Sequence, residues 1–385
     1  MNYDFDCPID RHGTSCLKWD LHPNGIFPLW VADMDFLSPE PVIRALHERI
    51  DHGVFGYGLA PTALSETICD RLSRLYGWRI CPEDIVYIPG VVPGFNLVCH
   101  ALADDHGEVL VQTPVYPPIL AAAANSGMRQ RSMQLRERPG DADSIDIERF
   151  ADIINDRCRV FILCNPQNPL GYVFSRRELE VMAEACLCHN SVICSDEIHC
   201  DLTFDGAQHI PIASLSPEIA QQTITLMAPS KTYNIAGLQC SLAIIQNEEL
   251  RHRFCAAQAG LVPHVNVLGF TAALAGYREG DEWLQQVMAY LQSNRDIVTN
   301  YVNTQLPGIR VDSPQATYLA WLDCRQANLP DGPCRFFLDH AGVALNDGAT
   351  FGPGGEGFAR LNFGCRREML SEALDRMRLA LETHL

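Results

Sequence analysis

A lysine directly follows the apolar run Ile224–Met227, in the segment Ala228–Asn234 that leads into Ile235–Leu238. An ammonium at the end of a buried strand is costly without a partner. The same cost makes an amine there a usable nucleophile, because its charged form is disfavoured. Taken alone, Lys231 reads more simply as a surface side chain whose stem lies on the protein while its head stays in water. A second group stands at the end of Val192–Ser195, where an apolar run closes on Asp196. Open α/β sheets place ligands at the carboxyl ends of their strands; an aspartate that caps a helix is the alternative. A third segment, Cys164–Gly171, carries two Asn-Pro steps and a glycine, which specify a rigid, irregular loop. Strand-end Asn168, Asp196 and Lys231 recur at intervals of 28 and 35 residues.

Such groups need strands to carry them. Short apolar runs at Ile85–Ile88, Val109–Gln112, Val160–Cys164, Val192–Ser195, Ile224–Met227 and Leu242–Ile245 alternate with helix-period stretches at 95–103, 115–126 and 175–189. This alternation implies an α/β fold with a largely parallel sheet covered by helices. Ser38-Pro39 places a cap residue before a proline at the first helical position. Ser175 and Glu178 form a capping-box pattern. From about residue 281 the pattern changes to a long amphipathic helix (281–306), strand-like runs at Tyr318–Asp323 and Phe358–Phe363, and a closing helix from about 368. That is a smaller α+β unit. Gly352–Gly357 resembles a phosphate loop, but it does not link a strand to a helix and is expected to be a turn.

Composition removes several classes. There are 29 Lys+Arg against 47 Asp+Glu, for a net charge of −18. A surface this acidic repels phosphate backbones, so neither nucleic-acid nor membrane binding is expected. No run reaches the ~18–20 apolar residues of a spanning helix. The 16 cysteines are scattered without any C-x-x-C pair. The opening stretch 1–13 lacks a basic cluster followed by an apolar one, so a cytoplasmic protein with free thiols is expected. Cys186, Cys188 and His189 do not share a helix face as metal ligands must, and no metal is expected.

The stretches Asp10–Thr14, Lys18–Asp20, Val31–Phe36, His52–Tyr57, Asn165–Pro169, Ser195–His199, Ser230–Asn234 and Tyr318–Asp323 occur in a shared order along nearly the whole chain. In this the sequence resembles the pyridoxal-phosphate enzymes of fold type I, the aspartate-aminotransferase fold. Within them it is most similar to the cystathionine β-lyase (MalY/PatB) C–S lyase subfamily. The resemblance implies a large domain (46–280) with a mostly parallel seven-stranded sheet, a small C-terminal domain (281–385), and an N-terminal arm (1–45) that reaches the active site.

It also implies roles. Lys231 would join the aldehyde of pyridoxal 5'-phosphate and later remove the substrate Cα proton. Asp196 would keep the pyridine nitrogen protonated, and Asn168 would hydrogen-bond the ring's phenolic oxygen. Tyr116 would stack on the ring and share in catalysis, core packing being its alternative. His199 stands where many relatives place a tyrosine, which leaves it a supporting contact. Gly90, Val91 and Val92 would offer a helix N-terminus to the phosphate, with a hydroxyl from Ser230. Tyr57 would reach the phosphate of a partner subunit, implying a homodimer with shared active sites. Arg360 would grip the substrate carboxylate with its planar fork, with Asn168 and Tyr57 also at the substrate; a surface ion pair is the alternative for Arg360.

Two positions depart from many aminotransferases. A hydroxyl residue three before the lysine and an arginine eight after it are here Ala228 and Gln239. This favours the lyase subfamily. The expected activity is α,β-elimination from cystathionine or another S-substituted L-cysteine, giving a thiol, pyruvate and ammonia. An aminotransferase acting on amino acids is the second expectation, and a regulatory or binding role the third.

Overall fold

The computed structural model describes residues 2–136 and 145–384. Its main sheet has seven strands: β1 (Ile85–Ile88), β2 (Glu108–Thr113), β3 (Arg129–Gln134), β4 (Cys158–Cys164), β5 (Val192–Asp196), β6 (Thr223–Met227) and β7 (Ser241–Ile244). The spatial order is β1-β7-β6-β5-β4-β2-β3. Only β7 runs antiparallel to its neighbours. Side chains alternate across a pleated strand, and here both faces are covered. Val160 and Ile162 of β4 pack with Phe95 and Val98 of the helix Val91–Leu102 on one side. Phe161 and Leu163 pack with Leu179 and Met182 of the helix Arg176–Cys188 on the other.

Six strands lie where the apolar runs predict them. The seventh, β3, pairs in parallel with β2 over six residues from Glu108↔Arg129 to Thr113↔Gln134. It is an edge strand with mostly exposed or half-exposed polar side chains, so hydrophobic patterning misses it. The helix-period stretch read from residue 95 belongs to a helix that begins at Val91, directly after Gly90, where the phosphate-site expectation puts a helix start; Pro93 is tolerated in a first turn that needs no N–H from it. The capping box at Ser175 is formed as its pattern implies, with the hydroxyl accepting from Glu178 N. Ser38 does not cap a helix: Pro39 occupies that position, and the Ser38 hydroxyl donates to the Asn234 carbonyl at 3.0 Å. The helix Glu40–Asp51 is thereby tied to the segment that follows Lys231.

A second, antiparallel sheet contains β8 (Arg310–Val311), β9 (Leu319–Asp323), β10 (Asn346–Asp347) and β11 (Phe358–Asn362), in the order β10-β11-β9-β8. Gly352–Gly357 forms the turn before β11. The helices Asp281–Gln305 and Arg367–His384 contribute Val287, Leu291, Leu370 and Leu374 to the core beneath it. Near the N-terminus, Phe27–Pro28 pairs in parallel with Val343–Ala344. The chain then crosses in an irregular strap, residues 30–34, from the second sheet towards the end of the first. Among the described residues, no helix is long and apolar enough to cross a membrane.

Candidate active site

Register places three groups at one edge of the main sheet. Cys164, the end of β4, lies opposite Asp196, the end of β5, and Asp196 lies opposite Leu226 of β6. The loops leaving these strands meet at a cavity of about 370 Å³. Asn168, Asp196, His199, Ser230, Lys231, Tyr116, Arg360 and the Gly90–Val92 helix start all line it. Of the residues to which the resemblance assigns a role at the cofactor or substrate, only Tyr57 lies elsewhere.

Lys231 sits in the short helix Pro229–Thr232 after β6. Its neighbour Thr232 donates to Asp201 at 2.8 Å, and Asp201 is held in turn by Arg71 at 2.7 Å. The amine donates to the Ala32 carbonyl at 2.5 Å. The side chain opens on the cavity and is packed round elsewhere. That burial brings its pKa down to about 8; Asp33 and Asp196 oppose the shift, and Arg360 and Lys18 add to it. This lysine is therefore no surface side chain. The composition also holds a signal that spacing did not use: of 29 basic residues only two are lysines, Lys18 and Lys231.

Asp196 and Glu197 are adjacent buried carboxylates with different circumstances. Glu197 is saturated, accepting from Ser195 Oγ at 2.8 Å and Ile212 N at 3.2 Å and pairing with His209 Nε2 at 2.8 Å. Asp196 accepts only one hydrogen bond among the described residues, from Ile198 N at 3.2 Å. Burial pushes its pKa up to about 7, with Glu197 adding to the rise. A buried carboxyl facing a cavity with so little support is suited to a cationic partner.

Arg360 is the complementary case. Its guanidinium reaches Asn168 Oδ1 at 2.9 Å, the Trp30 carbonyl at 2.8 Å and Asn346 Oδ1 at 2.5 Å, and it stands 5.1 Å from the Phe351 ring centre. All three acceptors are neutral, and Nε has no partner among the described residues. Burial lowers its pKa to about 10. The surface ion-pair alternative thus fails, and a buried cation without a counter-charge borders the cavity. Asn168 spends its oxygen on Arg360, which leaves its amide N–H groups for another acceptor.

His199 is buried, and its Nδ1 has no partner among the described residues. Burial, then the charges of Lys231 and Arg360, hold its pKa near 3, so the ring is neutral. Tyr116 is half-buried on the cavity wall, just before the helix Pro117–Asn125. In the helix Val91–Leu102 the first internal bond comes from Gly94 N to Gly90 O at 3.1 Å. Val91 and Val92 therefore keep free N–H groups at the cavity, and Pro93 has none to offer. Gln239 lines the cavity, whereas Ala228 does not. Tyr57 is fully exposed, in a coil with the exposed Val54, Phe55 and Leu59.

Sequence reasoning assigned no role to Ala32, Trp30, Tyr318, Asn346 or Asn362, which frame the site. The Tyr318 hydroxyl donates to the same Ala32 oxygen at 2.9 Å. Asn362 Nδ2 donates to the Val31 and Asp33 carbonyls at 2.5 and 2.7 Å. Trp30, Val31, Ala32 and Tyr318 fall in or next to the stretches that carried the family resemblance, which was the available signal; Asn362 lies outside them, two residues after Arg360.

Residues 25–377 match the model of the aminotransferase class I and II family. The chain is 38% identical, over 98% of its length and 100% of the relative's, to cystathionine β-lyase PatB of Bacillus subtilis (strain 168). It superposes on the crystal structure of OvoB with a TM-score of 0.95 and 42% identity, covering 100% of both chains. On the PLP-bound C–S lyase from Staphylococcus hominis the TM-score is 0.92 at 30% identity, again over 100% of both chains. With its mostly parallel seven-stranded sheet and its strand-end lysine, the chain belongs to the aminotransferase class I and II family, in the branch that includes PatB and the C–S lyases.

Proposed function

We propose that this protein is a pyridoxal-phosphate-dependent carbon–sulfur β-lyase that cleaves S-substituted L-cysteines such as cystathionine. The observation that carries the reading is that Lys231 and Asp196 line one cavity, the first with a depressed pKa and the second a carboxyl with no cation of its own.

The residues present fit the cofactor. An amine of lowered pKa suits an aldehyde, Asp196 suits a pyridinium, and the free N–H groups of Val91 and Val92 suit a phosphate, with Ser230 and Gln239 beside them. Asn168 can donate to the ring's phenolic oxygen, Tyr116 supplies an aromatic wall, and neutral His199 adds no charge. When bound, pyridoxal phosphate supplies an electron sink for a carbanion at the substrate's Cα.

The chain's own groups do the rest. Arg360 holds the substrate α-carboxylate and so fixes which Cα bond faces Lys231. Lys231 Nζ, whose charged form burial disfavours, would take the Cα proton. The Cβ–S bond then breaks, the sulfur leaves as a thiol, and water converts the remaining three carbons to pyruvate and ammonia. Asp196 stays ionised against the ring cation throughout. The absence of a hydroxyl at position 228 and of an arginine at position 239, together with the kinship with PatB, favours elimination over transamination. A homodimer is part of this reading: the exposed run Val54–Leu59 would carry Tyr57 to the phosphate of a second copy.

The test is direct. Purified protein given pyridoxal phosphate and L-cystathionine should release pyruvate and ammonia with no keto-acid acceptor added. Product formation only when a keto acid is supplied, without ammonia, would replace the proposal with a transaminase.

A further inference from the structure

Residues 30–34 form no regular ladder, yet a side chain holds every carbonyl in the run. Arg360 takes Trp30, Asn362 takes Val31 and Asp33, and Lys231 and Tyr318 share Ala32. Lys18 also reaches the Asp33 oxygen at 3.2 Å, and Arg11 and Asn234 reach the Met34 oxygen at 3.2 and 2.9 Å. Beside this strap lies an ion cluster that the reaction above does not use. Lys18, the chain's only other lysine, is buried and pairs with Asp35 at 2.8 Å and Asp33 at 3.3 Å. Arg11 pairs with Asp33 at 2.9 Å and with Asp35 at 2.5 Å. Trp19 Nε1 donates to Asp35 at 2.8 Å. On the other side of Ala32, Trp30 Nε1 donates to the Lys18 carbonyl at 3.2 Å.

Two cations and two carboxylates cancel, so the cluster projects no net charge. A buried ion pair is also seldom more stable than well-packed apolar residues of the same size. Geometry is what it supplies. We propose that the Arg11–Lys18–Asp33–Asp35 cluster is the positioning device of the reactive amine: it holds the backbone carbonyls of Asp33 and Met34, directly after Ala32, and so fixes the carbonyl that receives Lys231 Nζ. The inference rests on Lys231 being the cofactor's lysine.

The clamp has a measurable consequence for basicity. Lys231 is faced by Asp33 on the strap, Asp196 at the end of β5, Arg360 on β11, Lys18 near the N-terminus, and the neutral His199, Tyr318 and Tyr116. Burial lowers its pKa, and Asp33 is foremost in opposing that. A carbonyl that accepts from an ammonium also favours the charged form. Replacing Asp33 removes the first support and loosens the carbonyl that gives the second, so the amine becomes less basic still.

The experiment uses the full-length protein without cofactor. The rate of acetylation of Lys231 by acetic anhydride is followed against pH by peptide mass spectrometry. The variants are Arg11→Gln, which removes the half-exposed outer member and leaves Lys18 paired, and Asp33→Asn. The expected parent midpoint is near 8, and Asp33→Asn, which removes the foremost opposing carboxylate, should titrate about one pH unit lower; Arg11→Gln leaves Asp33 charged and is read by its kinetics. In the cofactor-loaded protein both should lose about tenfold in kcat with little change in KM. An Asp33→Asn protein that unfolds thermally like the parent and keeps its midpoint would overturn the proposal. Should Asp33→Asn not fold, Arg11→Gln decides by kcat: the tenfold loss supports the proposal, and an unchanged kcat in a variant that unfolds thermally like the parent overturns it. A parent midpoint at the ordinary lysine value would instead overturn the reading of Lys231 itself.

Discussion

The ε-amine of Lys231 donates to the backbone carbonyl of Ala32 at 2.5 Å, across 199 residues of sequence. The segment after β6 that carries Lys231 and the N-terminal strap are therefore tied together, and the amine has a defined place whenever it is not bonded to something else.

The lowered pKa of Lys231 fixes how cofactor capture depends on pH. Only the neutral amine attacks an aldehyde. Below about 8 Lys231 is mostly ammonium; above it, mostly amine. The rate at which the cofactor-free protein takes up pyridoxal phosphate should rise with pH through about 8 and then level. Stopped-flow absorbance would show this, and a rise continuing to pH 10 would contradict it.

Asp196 should cost stability when the cofactor is absent. Its folded pKa of about 7 lies above the unfolded carboxylate's, so the penalty is nil where both states are protonated, grows from about pH 4 and is complete above about 7. At one pKa unit per 1.36 kcal/mol it amounts to at most about 4 kcal/mol. Asp196→Asn should therefore raise the melting temperature of the cofactor-free protein at pH 8 but not at pH 4. The same variant, loaded, should lose about 100-fold or more in kcat.

Arg360 should govern substrate affinity. Its three partners are neutral and leave the guanidinium charge uncompensated, so a carboxylate can take hydrogen bonds donated by the N–H groups they do not use. Arg360→Lys keeps the charge but loses the fork, and should raise KM by about 30-fold, roughly 2 kcal/mol. Steady-state kinetics on L-cystathionine would measure it, and an unchanged KM would place the carboxylate elsewhere.

If Tyr57 serves a partner's site, inactive variants should complement. Tyr57→Ala and Lys231→Ala chains, mixed and refolded together, form hybrid dimers in which one site has a native Lys231 and a native Tyr57. Pyruvate release should reappear in the mixture. No recovery would mean that each chain works alone.

The sequence made some parts of this plain and hid others, for physical reasons. Strands buried on both faces, such as Val160–Cys164, are continuous apolar runs and can be read directly. The edge strand Arg129–Gln134 presents polar side chains to water and cannot. Asp196 and Lys231 stand out because strand ends place them. Ala32 has no chemical side chain to betray it, and its function lies in a carbonyl whose neighbours, Tyr318 and Asn362, come from the far end of the chain. The apolar strap Leu29–Val31 and the charged Asp33 and Asp35 read as separate local features until the fold joins them. Even the count of two lysines becomes pointed only once both prove to lie beside the same strap.

The central claim is that pyridoxal phosphate is carried on Lys231, and covalent trapping tests it most directly. Protein loaded with the cofactor is reduced with borohydride, digested, and mapped by mass spectrometry. The account predicts the pyridoxyl group on the peptide containing Lys231 and its disappearance in Lys231→Ala. Label on Lys18 or the chain's terminal amine, or none at all, would contradict it.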